Sequence, residues 1–373
     1  MAADVVDTLR GLGASIADGS AAEALAREVE RMRLRAANGL RHLSGEMFTP
    51  VGVTPRTHVW SHDIVELYRY DATAKFDAGP VLIVHSLITR AHVFDLQPGS
   101  SLVEDLTRAG FTVYLLDWGV PGPAQAKNSL ETYCDQLIPG AVDAVLADSE
   151  RDSTAILGYC LGAVMAAISI AGNSDVRVHS LAMLAPPVDF SHLGVVANLL
   201  NQDRIDPETL IDETGNVPAS LLVASFRMSQ PTTDAAIAAN YWQALPDKRM
   251  LGAHLGILSW SGTHIPFPGA VFRQVVSLFL HERRLESGVV PLEGGDIHLA
   301  DLDCRVLCVT GARDFLVPPA SSAALEAAMR PVALDRVEVN AGHAGLFVGR
   351  TARKGAVPQI IDWLLKGPEG VRA

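Results

Sequence analysis

The stretch Thr154–Ala171 reads TAILGYCLGAVMAAISIA. Its first residues are apolar or β-branched and read as a short buried strand, and the Ala-rich run from Ala163 reads as a helix. Between them stands Gly158-Tyr159-Cys160-Leu161-Gly162. A sharp strand-to-helix turn brings backbone against backbone on both sides of the residue at its tip. Gly158 and Gly162 leave room for that approach. The turn sets Cys160 at a helix N-terminus, whose positive end favours a thiolate. The N–H of Leu161, the next residue, points to where an oxyanion develops on an attacked carbonyl. The competing reading is a buried structural cysteine in a Gly-rich turn, so the rest of the chain has to decide.

Outward from this stretch, strands and helices alternate. Strand signals fall at His58–Trp60, Ile64–Tyr70, Val81–His85, Thr112–Asp117, Val178–Ala185, Arg305–Val309 and Arg336–Val339. Helical patterns fall at Ser101–Ala109, Leu130–Asp148, Ser321–Met329 and Val357–Leu365. Buried β-branched strands alternating with helices imply a mostly parallel sheet covered on both faces. The alternation stops after Pro186-Pro187, and residues 188–292 read as helical or irregular. An insertion between sheet strands at that place is expected to be a helical cap or lid. Residues 1–45 read as an N-terminal helical segment, either a helix packed on the body or an assembly arm. The expected organisation is therefore 1–45, a core of 46–187 with 293–373, and a cap of 188–292.

Two further loops carry chemistry. Asp314 lies in Gly311-Ala312-Arg313-Asp314-Phe315-Leu316-Val317-Pro318-Pro319, after the strand Arg305–Val309. His343 lies in Ala341-Gly342-His343-Ala344-Gly345, after the next strand. The chain order nucleophile, acid, histidine, with the last two after successive strands, is that of the α/β-hydrolase fold, with Cys160 as nucleophile, His343 as general base and Asp314 as orienting acid. Asp117, at another strand end, is the alternative acid. The second oxyanion donor is expected from the loop after Val81–Val84, as the N–H of Leu87 or Ile88. His85 ends the same strand and reads as a lining or supporting residue.

The composition narrows the function. With 373 residues, 49% of them hydrophobic and 19% charged, the chain can bury a large core. A net charge of −12 without a Lys/Arg run excludes a nucleic-acid footprint. The four cysteines, Cys134, Cys160, Cys304 and Cys308, form no CxxC pair and no zinc spacing with histidines. A reducing, cytoplasmic setting is expected, with no metal and no bound cofactor. The N-terminus shows no signal peptide, and no apolar stretch is long enough for a transmembrane segment.

At these residues the sequence resembles the polyhydroxyalkanoate synthases, polyester polymerases of the α/β-hydrolase superfamily, over roughly residues 45 to 366. The resemblance is carried by Asp95-Leu96-Gln97-Pro98, Ser100-Ser101-Leu102, Gly110-Phe111-Thr112-Val113-Tyr114, Asp117-Trp118-Gly119, the elbow around Cys160, Pro187-Val188-Asp189-Phe190, Asp314 with Leu316-Val317-Pro318-Pro319, and Gly342-His343 before Gly345. Trp260-Ser261-Gly262 and Pro266-Phe267-Pro268-Gly269 are similar to the family's cap segment, loosely. Ala163 stands where the family's box has a second glycine. The length is similar to the short catalytic subunits of the two-subunit class.

The resemblance implies a Cys160 acyl-enzyme that polymerises (R)-3-hydroxyacyl-CoA into polyester and releases CoA. CoA enters only as part of that substrate. The implied partners are 3-hydroxyacyl-CoA, a second synthase subunit or a homodimer, and the surface of a polyester granule. Two other readings stand beside it. One is a cysteine thioesterase, esterase or small-molecule acyltransferase of the same fold. The other is a catalytically silent surface protein, against which the Cys160, Asp314 and His343 set argues.

Overall fold

The computed structural model describes residues 20–45, 51–229, 233–330 and 332–367. The chain divides into two compact units, Met1–Pro50 with Thr232–Gly256, and Val51–Pro231 with Ile257–Ala373. In the first, helix α1 (Ser20–Leu43) carries Arg–Glu pairs at helical spacing, Arg27 with Glu23 and Arg33 with Glu30. Its buried Asn38 donates a side-chain hydrogen bond to Leu245 O at 2.6 Å, and Arg35 lies over the ring of Trp242. The remainder of the expected N-terminal segment, residues 1–19, lies outside the described residues, as do 46–50, 331 and 368–373 of the expected core.

The second unit is built on eight strands: β1 (Thr57–His62), β2 (Val65–Tyr70), β3 (Gly79–Val84), β4 (Phe111–Asp117), β5 (Thr154–Tyr159), β6 (Val178–Leu184), β7 (Arg305–Gly311) and β8 (Leu334–Val339). They form one sheet in the order β1-β2-β4-β3-β5-β6-β7-β8. β1 pairs antiparallel with β2 and β2 with β4, and every other pairing is parallel. This is an α/β-hydrolase sheet. Every residue of β5 is buried, as the middle strand of a sheet covered on both faces must be.

Side chains alternate between two cores. Leu82, Val84, Ile156, Leu181 and Met183 face helices α3 (Ile138–Ser149) and α4 (Leu161–Gly172). Val81, Ile83, Leu157 and Leu184 face α2 (Leu102–Arg108) and the last helix, Ala356–Leu365. The parallel strands run the same way, so the loops after β3, β5, β6, β7 and β8 gather along one edge of the sheet.

The strand signals fall on the observed strands, with bounds moved by a residue or two. The expected helix Leu130–Asp148 opens instead with a π-helical turn, Thr132–Leu137, before α3. Residues 188–292 are not free of strands. Asn216–Val217 pairs with Phe267–Pro268, and Val289–Leu292 pairs with Gly295–His298. The first ladder is two residues long on each side, too short to show a period of two. The second has a polar strand, Gly-Asp-Ile-His, that shows no apolar alternation. Between β6 and β7 the second unit also carries α5 (Gly194–Asn201) and α6 (Ala219–Ser229).

Candidate active site

Cys160 has φ 54° and ψ −129°, a left-handed-side backbone rarely adopted by a residue with a Cβ. Such a conformation costs about 1–3 kcal/mol and persists only where neighbours force it. Here they do. Cys160 N–H donates to Leu184 O at 2.8 Å, which ties the turn to β6. A Cβ on Gly158 would stand 2.4 Å from the Cα of Ala163, and one on Gly162 would stand 2.5 Å from both Val84 O and His85 O. Both glycines are therefore required by close backbone approach. The elbow wedges α4 against the end of β3.

The loops after β7 and β8 interlock. Ala312 N–H donates to Val339 O at 2.8 Å and Arg313 N–H to Ala341 O at 3.0 Å. Between them Asp314 is fully enclosed. Its Oδ1 accepts the N–H groups of Leu316 and Val317, each at 2.9 Å, and its Oδ2 lies 2.6 Å from His343 Nδ1. With Nδ1 turned to Asp314, His343 shares the lining of one space with Cys160, whose sulfur also acts on the ring. Burial works against a charged ring. The Asp314 carboxylate, and then the Cys160 sulfur, outweigh it and raise His343 to about 10. The structure thus brings Cys160, Asp314 and His343 together. Asp117, the alternative acid, does not reach His343. It accepts the N–H of Gly119 at 3.1 Å instead.

The loop after β3 closes the far side. Leu87 is buried, while Ser86 and Ile88 line the space beside Cys160. Among the described residues, the N–H groups of Leu87, Ile88 and Leu161 are spent on no backbone carbonyl. Ile88 O accepts the N–H of Ile265 at 3.2 Å, so the chain returning from residues 248–261 holds this loop. His85 is fully buried between Phe94 and Trp118, and burial lowers its pKa. Its Nδ1 lies 2.8 Å from Ser86 O and 3.3 Å from Thr89 Oγ1. It supports the loop from beneath and does not line the open space.

That space is a cavity of about 240 Å³ with Cys160 and His343 on its floor. Its far walls come from α5, α6 and a π-helical turn, Val275–His281. They are overwhelmingly carbon, with Leu200, Leu222, Phe226 and Val276 among them.

Residues 79–350 match the family model of the alpha/beta hydrolase fold. The chain is 31% identical over 345 residues to the poly(3-hydroxyalkanoate) polymerase subunit PhaC of Thiocystis violacea, covering 91% of this chain and 96% of that one. It is 30% identical to the protein of the same name from Allochromatium vinosum, covering 87% and 92%. The corresponding Synechocystis protein is 29% identical, covering 88% and 89%. The chain belongs to the PhaC family.

Against the PhaC-family box, Ala163 is the departure, and the structure shows where its methyl goes. It lies behind the elbow, where a Gly158 Cβ would meet it at 2.9 Å, and it is fully buried. It does not line the cavity, so the change concerns how α4 seats on β5. Two contributors escaped the sequence reading. The Tyr159 ring lies against His343, with centroids 4.8 Å apart, and Phe347 packs on Tyr159 at the same separation. Together they fix the tilt of the imidazole. The residue before the nucleophile was visible as aromatic, but its orientation depends on the φ of Cys160. Among the described residues, no group of three or more His, Cys, Asp or Glu side chains could hold a metal ion. Nor, among them, is any helix long and apolar enough to cross a membrane.

Proposed function

We propose that this chain transfers 3-hydroxyacyl groups from CoA thioesters onto Cys160 and then onto a hydroxyl, extending a polyhydroxyalkanoate polyester. The observation that supports this most is the thiol on its strained elbow beside the Asp314–His343 pair, on the floor of an apolar cavity. Membership of the PhaC family supports the substrate class.

His343 takes the Cys160 proton. The Asp314 carboxylate, 2.6 Å from Nδ1, favours the charged ring that this transfer leaves. The thiolate attacks the thioester carbonyl, and the N–H groups of Leu161 and of Leu87 or Ile88 receive the oxyanion. The C–S bond to CoA breaks, and CoA leaves with the proton from His343. The 3-hydroxyl of a second acyl unit then attacks the Cys160 thioester. His343 takes the hydroxyl proton, an ester forms, and the Cys160 thiolate is released. The first exchange swaps one thioester for another, so little free energy is lost before the ester forms. Water in the same position would give free acid, and the apolar walls contributed by residues 188–292, acting as a cap, exclude it. No cofactor is needed beyond the CoA of the substrate. The reading places the protein in the cytoplasm at the surface of its own polymer, with a second synthase subunit or a second copy as partner.

The test is CoA release from 3-hydroxybutyryl-CoA or a longer homologue, with the product sized in the same sample. High-mass polyester supports the proposal. Free acid or a single small ester moves the protein to the thioesterase or small-molecule acyltransferase reading. Cys160→Ala is expected to lower CoA release by ~10⁴-fold or more while the fold persists. Undiminished release would remove Cys160 from the mechanism.

A further inference from the structure

Resting on the acyl-transfer reading above, we infer that the His85 ring, with Thr89, is a positioning device of the reaction. It clamps the Ser86 carbonyl and so aims the N–H of Leu87, rather than that of Ile88, at the oxyanion. The clamp is visible at one oxygen. Ser86 O lies 2.8 Å from His85 Nδ1 and accepts the Thr89 hydroxyl at 3.3 Å. It also accepts the N–H of Thr89 at 3.4 Å, which closes the turn Ser86–Thr89. A carbonyl oxygen only accepts, so Nδ1 carries the ring proton. Burial lowers the His85 pKa, which keeps the ring neutral with that proton in place. The ring itself cannot drift. It is fully buried between Phe94 and Trp118, and Trp118 Nε1 donates to His85 O at 2.8 Å.

The planar peptide unit carries this order to the other side of the loop. Ser86 C=O and Leu87 N–H belong to one trans unit and point in opposite directions. Ser86 O points at a ring that takes no part in the cavity lining, so Leu87 N–H points away from that ring. The opposite side is where Ser86 and Ile88 meet the space over Cys160. Leu87 is only 2% exposed, yet its N–H is spent on no backbone carbonyl. A donor enclosed in this way is suited to an incoming oxyanion.

The next peptide has no such clamp. Among the described residues, no hydrogen bond reaches Leu87 O, so nothing of this kind sets the direction of Ile88 N–H. Ile88 is tied through its own carbonyl instead, to the N–H of Ile265. An oxyanion donor accelerates the reaction because it is aimed before charge develops. Without the ring proton on Ser86 O, the Ser86–Leu87 peptide is free to rock, and its N–H must be re-aimed in each turnover.

The experiment is steady-state CoA release by the full chain from 3-hydroxybutyryl-CoA or 3-hydroxyoctanoyl-CoA, whichever the native protein turns over faster. Leucine fills the apolar niche of His85 without an N–H, so the melting temperature of His85→Leu is expected to hold. Its kcat is expected to fall about tenfold or more, with KM kept within about threefold. Asparagine sets an amide N–H two bonds past Cβ, where Nδ1 stands in histidine. His85→Asn is therefore expected to recover most of the lost kcat. The donor itself is tested by exchanging Leu87 for its α-hydroxy acid, which keeps the side chain and replaces only N–H by oxygen. That exchange is expected to lower kcat by ~10²–10³-fold. The same exchange at Ile88 is expected to cost about tenfold less.

Native kcat in a folded His85→Leu overturns the inference. So does an equal loss in His85→Asn and His85→Leu, which would make the bulk of the ring, not its N–H, the feature that matters. A larger loss at Ile88 than at Leu87 overturns the assignment of the donor. All three leave the acyl-transfer reading standing. Absence of both CoA release and Cys160 acylation in the native protein is the distinct failure of that reading, and overturns the inference with it.

Discussion

The floor of the cavity and its far walls are built on different principles. On the floor, each functional group is fixed by short, named contacts. Asp314 is held by two N–H groups and His343, Cys160 is tied to Leu184 O, and Gly162 stands so close to Val84 O and His85 O that no side chain fits. The walls from α5, α6 and the Val275–His281 turn are held by carbon packing around a space left unfilled. A floor of this kind tolerates almost no displacement, because a shift of an ångström separates the reacting groups. A carbon wall tolerates exchange of size and shape, because its contacts are undirected.

Asp314→Asn is the strongest test of the floor. An amide cannot hold the ring as the carboxylate does, so CoA release is expected to fall by ~10²–10⁴-fold with little change of structure. The His343 pKa should drop from about 10, since the carboxylate is the main group raising it. A loss of less than tenfold would show that the floor is not tightly specified. Gly162→Ala comes next. Its new methyl meets Val84 O and His85 O, so a loss of about 3 kcal/mol or more in denaturant unfolding is expected. A near-neutral result would break the comparison at its firmest point.

The effect of pH is smaller. His343 is raised in the folded state above its ordinary value of 6.5, to about 10. Its contribution is fully present below about 6.5 and is lost as pH rises through about 10. The native melting temperature should therefore fall by a few degrees between neutral and alkaline pH relative to His343→Gln. Parallel curves for the two proteins would deny the coupling. For the wall, Phe226→Leu is expected to cost about 1 kcal/mol or less, by calorimetry. A cost as large as that of Gly162→Ala would erase the distinction.

What the sequence disclosed follows the same division. The elbow was legible because a bare backbone on either side of Cys160 is written as Gly158 and Gly162. Asp314 and His343 were legible because each sits in a short loop directly after an apolar strand. The support under them was legible only in part. His85 read as lining or supporting and proves to support, whereas Tyr159 against His343 works through an orientation fixed by folding that no spaced pattern announces. The walls were the least legible part. They take one or two residues from each of several elements far apart in the chain, so no period links Ala197, Phe226 and Val276. The short ladder between Asn216–Val217 and Phe267–Pro268 had no signal for the same reason, since two residues cannot display an alternation.

The contact of Gly162 with the end of β3 has a consequence for descent. The seat of the Cys160 turn against the end of β3 is gauged by main chain resting on main chain, with no side chain between them to vary. Substitutions accumulating along α5 and α6 can therefore reshape the cavity, generation after generation, without moving the Cys160 turn. A lineage with this construction is free to change what the cavity holds while keeping its floor.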